Sequence, residues 1–190
     1  KETRGRKGGN FTTEYGIIDV YLGTERRIDD VDLDRPFEEC RGIGRSFGIN
    51  KEEGCENYLS VKELLRILCS LVSKGGNFLL NIGPDADGTI PPIMEERLLG
   101  MGKWLETNGE AIYESEVYNK KPAVDGVYYT TRDGHIYAIT EKFPSKETIF
   151  PEIEYSDDLN VTLLGSNAEV EVYNRDGKVG LRADICAPED

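Results

Sequence analysis

Residues 60–109 constrain the fold more tightly than any other part of the chain. Ser60 and Glu63 are spaced as a capping box: the hydroxyl accepts from the third helical amide and the carboxylate reaches back to the cap amide. Apolar residues then fall at 61, 64, 65, 68, 71 and 72, which is one face of a helix. Gly75 and Gly76 end it, since glycine takes the left-handed conformation of a helix C-terminus without strain. The run 78–82 (FLLNI) is nearly all apolar, which predicts a strand buried on both faces and covered by helices, hence a parallel one. A turn-rich loop follows at 83–88. Pro91 and Pro92 open a second helix, where a missing amide proton costs nothing. Ile93, Leu98, Met101, Trp104 and Leu105 supply its buried stripe, and Gly109 ends it. Helix, buried strand, loop, helix is the grammar of an α/β barrel or a doubly wound sheet. Only one or two strands of that kind are legible here, too few to close a barrel. The first 115 residues or so therefore read as the last part of a larger α/β domain.

The remaining pattern is all-β. Residues 127–131 and 136–140 flank Arg132, Asp133, Gly134 and His135, a hairpin signal. Residues 148–153, 161–164, 170–173 and 179–182 read as further short strands, and this spacing predicts an antiparallel β-sandwich. The expected domains are 1–118 and 119–190. Ahead of the helices, 17–22 and 37–43 read as strands or extended loops, with a charged, solvated loop at 29–34 between them.

Charge removes several function classes. Asp and Glu outnumber Lys and Arg 36 to 23, for a net charge of −13. Such a chain is repelled by phosphate backbones and by anionic membranes, so neither nucleic acid nor a membrane is an expected partner. No apolar stretch is long enough to span a bilayer. The basic opening residues hold neither Met nor an apolar leader, and read as the start of a piece cut from something longer. Cys40, Cys55, Cys69 and Cys186 lack zinc-site spacing and read as structural free thiols, Cys69 within a helical apolar run. Asn10 and Asn160 each begin a glycosylation-type tripeptide. No metal and no cofactor is expected.

Position filters the many carboxylates. In α/β barrels the chemistry sits on loops after the strand C-termini, which leaves Glu14, Glu38, Glu39, Asp85 and Asp87 as candidates. Glu14 stands out because Phe11 and Tyr15 flank it, and aromatic neighbours can desolvate a carboxyl group and raise its pKa, as a general acid requires. The single histidine, His135, reads as an exposed turn residue, so a Ser/His/Asp triad is unsupported. Residues 74–77 lack phosphate-loop spacing, and 85–88 resemble part of a calcium loop without its remaining acidic ligands, so turn chemistry explains them better.

The stretch 72–115, VSKGGNFLLNIGPDADGTIPPIMEERLLGMGKWLETNGEAIYES, closely resembles the end of the catalytic barrel of α-L-fucosidases, glycoside hydrolase family 29. FEECRGIGRSFGIN at 37–50 and GGNFTTEYG at 8–16 resemble segments of the same family in the same order. The resemblance implies the last strands and helices of a (β/α)8-like barrel over 1–118, followed by the family's C-terminal β-sandwich. It also implies a retaining exo-α-L-fucosidase, which uses two carboxyl groups about 5 Å apart. The family's T-x-E-Y segment places the general acid/base at Glu14, and its W-E position makes Glu38 the runner-up. Phe47 matches the aromatic that lies against the apolar side of the fucose ring, near its methyl group. The family's nucleophilic Asp, its fucose-binding His residues and a sugar-contacting Arg lie on earlier strands, with no match in this chain. The implied partners are a fucosylated glycan and the missing N-terminal barrel segment, or a partner chain that carries it. A homo-oligomer is compatible with both. A soluble protein is expected, with secretion, periplasm and lysosome all open for the full-length form. The alternative from another class is a non-catalytic carbohydrate-binding or structural sandwich module derived from a fucosidase.

Overall fold

The computed structural model describes residues 10–13, 16–20, 37–118, 126–141 and 147–183. The first layer is a four-stranded sheet in sequence order: β1 (Asn10–Thr13), β2 (Gly16–Val20), β3 (Phe37–Gly42) and β4 (Gly76–Asn81). β1 pairs antiparallel with β2, whereas β2, β3 and β4 run parallel. Three parallel strands thus stand where the sequence pattern gave one or two. The short runs at 17–22 and 37–43 carry little local signal, and their strands are defined by pairing with neighbours.

Two helices pack on one face of β3 and β4. α1 (Val61–Val72) begins at Ser60, whose hydroxyl accepts from the Glu63 amide while the Glu63 carboxylate accepts from the Ser60 amide at 2.8 Å. That bonding holds the Glu63 carboxyl below its ordinary pKa of 4.5. Replacing Ser60 with Ala is expected to remove about 1 kcal/mol, read as a lower urea midpoint. The carboxylate half of the cap stabilises above pH 4.5 and is lost as the pH falls through the folded pKa. Beyond α1, Gly75 sits at φ +78°, the left-handed position expected of it. α2 (Pro92–Asn108) starts on the predicted prolines and runs into a 3-10 turn, Gly109–Ala111. Gly109 itself is right-handed (φ −60°), so the helix tightens there instead of reversing. Ile43, Leu64, Met94 and Met101 form the central core, with Leu65, Leu68, Phe78 and Leu80 packed against them. Met94 lies outside the predicted stripe yet is almost fully buried. Gly100 lets the helices approach, because a β-carbon there would lie 2.6 Å from Val61 Cγ2.

β4 departs from expectation. Phe78 and Leu80 face the helices, but Leu79 is 49% exposed on the other face. Among the described residues nothing covers Leu79, so an apolar run that suits a strand buried twice is, in β4, buried once.

Six strands follow. β5 (Glu116–Val117), β6 (Val127–Arg132) and β7 (His135–Thr140) form one antiparallel sheet in the order β5-β6-β7. β8 (Glu147–Glu154), β9 (Val170–Arg175) and β10 (Lys178–Ala183) form another in the order β8-β10-β9. The β6–β7 loop is two residues long, Asp133 and Gly134, both with positive φ (52° and 80°), as a type I′ turn requires. The expected strand at 161–164 does not form. This segment lies between β8 and β9 without a ladder, and directly after it Gly165 closes on Thr107 at the end of α2.

The sheets meet face to face through Val127 and Tyr129 of β6, Phe150 of β8 and Val179 of β10. The opposite face of β6 is buried too. Tyr128 packs with Cys69 of α1, Ile112, Trp104 and Leu105, and the Thr130 hydroxyl donates to the Ala111 carbonyl at 2.7 Å. Arg66 of α1 donates to Glu141 at 2.9 Å, and the Tyr128 hydroxyl donates to the same carboxylate. The helices are therefore the middle layer between two β systems.

Candidate active site

Because β3 and β4 run parallel, their C-terminal residues Gly42 and Asn81 sit side by side, and loops 43–50 and 82–91 emerge at one end of the sheet. The first loop is held at several points. The Ile43 amide donates to the Asn81 carbonyl at 3.0 Å, and the Ser46 amide donates to Glu53 Oε1 at 2.6 Å. Asn50 Nδ2 donates to the Ser46 hydroxyl at 3.0 Å, while Asn81 Nδ2 donates to the Phe47 carbonyl. Two glycines permit this closeness: a β-carbon on Gly42 would lie 2.5 Å from the Ser46 carbonyl oxygen, and one on Gly83 would run into the main chain at Gly48 and Ile49. Gly83 is fixed in turn by α2, its amide donating to Met94 Sδ at 3.4 Å. The outcome is an aromatic, Phe47, left 41% exposed on an anchored main chain.

The candidate carboxylates are dispersed. Glu38 is the second residue of β3 and accepts from Asn77 Nδ2 on β4. It lies four residues before the strand end, roughly 13 Å along the strand from the loop that carries Phe47. Glu39 is buried and pairs with Arg41 at 2.7 Å. Asp87 accepts from the Thr89 amide at 3.0 Å, a bond that lowers its carboxyl pKa, and the Asp85 amide donates to the Thr89 carbonyl at 2.8 Å. Both belong to a turn completed by Gly88 at φ +87°. Glu14 lies outside the described residues.

His135 opens β7 and lines a cavity of about 310 Å³ with Glu114, Glu116 and Arg132. Helix α2 runs back from the loop end of the parallel strands, so this cavity lies at the far end from Phe47. Its guanidinium is already engaged, by Glu114 at 2.9 Å, the Tyr113 carbonyl at 3.1 Å and Asp133 at 3.3 Å. Cys40, Cys55 and Cys69 are free thiols, and burial pushes Cys69 up to about 12; Cys186 lies outside the described residues. Among the described residues no group of three or more His, Cys, Asp or Glu is arranged to hold a metal ion, and no helix is long and apolar enough to cross a membrane.

Residues 5–110 match the family profile described as alpha-L-fucosidase. The chain belongs to the alpha-L-fucosidase family. It is 36% identical over 167 residues to an alpha-L-fucosidase of Branchiostoma floridae, covering 86% of this chain and 37% of that protein. It is 35% identical over 181 residues to the human tissue alpha-L-fucosidase, covering 93% of this chain and 38% of the relative. Among solved structures it resembles a Thermotoga maritima alpha-fucosidase in complex with fucose, with 34% identity and a TM-score of 0.64 over 78% of this chain and 36% of that one. The chain thus spans a little over a third of the length of these fucosidases. Both the strand–loop unit that carries Phe47 and the β4–α2 loop that supports it fall inside the family match. Sequence reading missed that support. Its one trace was a polar residue, Asn81, inside an otherwise apolar strand.

Proposed function

We propose that this chain supplies the end of the catalytic barrel and the C-terminal sandwich of a retaining exo-α-L-fucosidase that releases terminal α-L-fucose from glycoconjugates. In this reading 1–118 belong to a (β/α)8-like barrel and 119–190 to the sandwich, with β5 reaching across the boundary to pair with β6. The observation that carries the proposal is the family match over 5–110, which includes an exposed aromatic on the loop after a parallel strand, where barrel enzymes place their substrate contacts. Phe47 stacks on the apolar face of the 6-deoxy sugar, since C–H-rich ring faces suit an aromatic surface. Glu14 donates the proton to the leaving oxygen and later accepts one from water. The place of Glu38 beside Asn77 supports a strand-holding role over an acid role. The nucleophilic Asp comes from an earlier barrel strand, on a segment that this chain does not carry, and forms the glycosyl-enzyme intermediate.

The test compares the 190-residue chain alone with the same chain joined to the preceding barrel segment, on an aryl α-L-fucoside. The expected result is no turnover from the chain alone, and turnover with retained configuration from the complete barrel. Sustained turnover by the isolated chain would overturn the upstream nucleophile. An inactive complete barrel that binds fucose would overturn the hydrolase reading.

A further inference from the structure

We infer that Asn81 and Gly83 are positioning residues that hold Phe47 in register with the sugar and so set the preference for a pyranoside that bears a methyl group at C5. The inference rests on the reading of Phe47 given above and adds the residues on which that contact depends. Asn81 stands at the end of β4 and reaches 34 residues back along the chain to donate to the Phe47 carbonyl, the peptide oxygen that leads directly from the aromatic residue. Gly83 acts from the next turn by occupying no space. The main chain at Gly48 and Ile49 lies where its β-carbon would be, so the far side of the Phe47 loop rests on bare backbone. No positive φ is involved there, which means that glycine is needed for room and not for conformation. The support runs on into the core, because the Gly83 amide bonds to the sulfur of Met94, itself 2% exposed. Phe47 therefore presents an exposed ring on a main chain fixed from β4 and α2, and a stacking contact with a single methyl group depends on such placement to within a fraction of an ångström.

The experiment uses the complete enzyme and two glycosides with the same leaving group, an α-L-fucoside and the same pyranoside without its C5 methyl. Wild type should prefer the methylated substrate about 10- to 200-fold in kcat/KM, the range for one such group in an apolar contact. Asn81→Asp keeps the size of the side chain but sets an anion against the carbonyl, and Gly83→Ala fills the space that Ile49 occupies. Each should reduce the preference by about tenfold, mainly through KM, as loss of uniform binding predicts. Neither should reduce it further in a Phe47→Ala background, since coupled residues act as a unit. If Phe47→Ala erases the preference while both support variants retain it, the inference is overturned and the Phe47 reading stands. If Phe47→Ala leaves the preference intact, the Phe47 reading fails and this inference falls with it. Thermal melting checks folding, and should Gly83→Ala not fold, Asn81→Asp alone decides.

Discussion

Replacing Glu14 with Ala in the complete enzyme is expected to slow the hydrolysis of natural fucosides by about 10²- to 10⁴-fold, the usual contribution of general acid catalysis. A natural leaving group is a sugar hydroxyl, which departs poorly unless it is protonated as the bond breaks. An aryl fucoside with an acidic phenol needs little protonation, so its first step should suffer much less. Its glycosyl-enzyme intermediate would then accumulate, because in the proposed mechanism the same carboxylate activates water for the second step. Azide needs no general base. It should therefore restore turnover of the aryl substrate and yield a fucosyl azide of retained configuration. Glu38→Ala is the control: its carboxylate accepts from Asn77 at the start of the parallel strands, and its loss should cost stability without a leaving-group dependence. Azide rescue in Glu38→Ala, with none in Glu14→Ala, would reverse the two roles.

The sequence carried the elements that are defined locally. The Ser60 cap, the glycine after α1, the prolines at the start of α2 and the Asp133-Gly134 turn each follow from a few neighbouring residues with one favourable conformation. What it did not carry depends on neighbours distant along the chain. Residues 161–164 are as β-prone as β9, yet among the described residues no strand pairs with them, and the chain just after them, at Gly165, closes on Thr107 of α2. Leu79 reads as core and is exposed because the described residues cover one face of β4 only. Of the candidate site, Phe47 was singled out by family resemblance alone, and the structure places it exposed on the loop after β3. Asn81 and Gly83 were not, since the loop they support lies more than 30 residues away along the chain. In β6 the clue was present but misread. The run Val127, Tyr128, Tyr129, Thr130 lacks the apolar–polar alternation of a sandwich strand with one wet face, and the structure buries all four residues.

That double burial makes Tyr128 the residue on which the helical and sandwich layers depend together. Tyr128→Ala should destabilise the chain by about 3–5 kcal/mol, the range for removing a large aromatic from a core. The loss should be felt on both sides of the joint. Trp104, the only tryptophan, packs in the same cluster from α2 and reports the helical layer by fluorescence, while far-UV circular dichroism reports the strands as well. If the layers unfold as one unit, both signals move to the same lower denaturant midpoint. A shifted dichroism transition with an unmoved Trp104 transition would show that the joint does not couple them. Alkaline pH provides an independent check. Burial, reinforced by the hydrogen bond to the Glu141 carboxylate, pushes the Tyr128 phenol up to about 12 from its ordinary 10. The folded state thus favours the protonated phenol, and this stabilisation is complete below pH 10 and lost as the pH rises toward 12. Tyr129, buried on the other face of the same strand, is also pushed up to about 12 and adds to the same loss. Tyr128→Phe keeps the ring and has no proton to lose, so its stability should fall less steeply than that of wild type between pH 10 and 12. Equal slopes for the two proteins would mean that Tyr128 does not titrate in the folded joint.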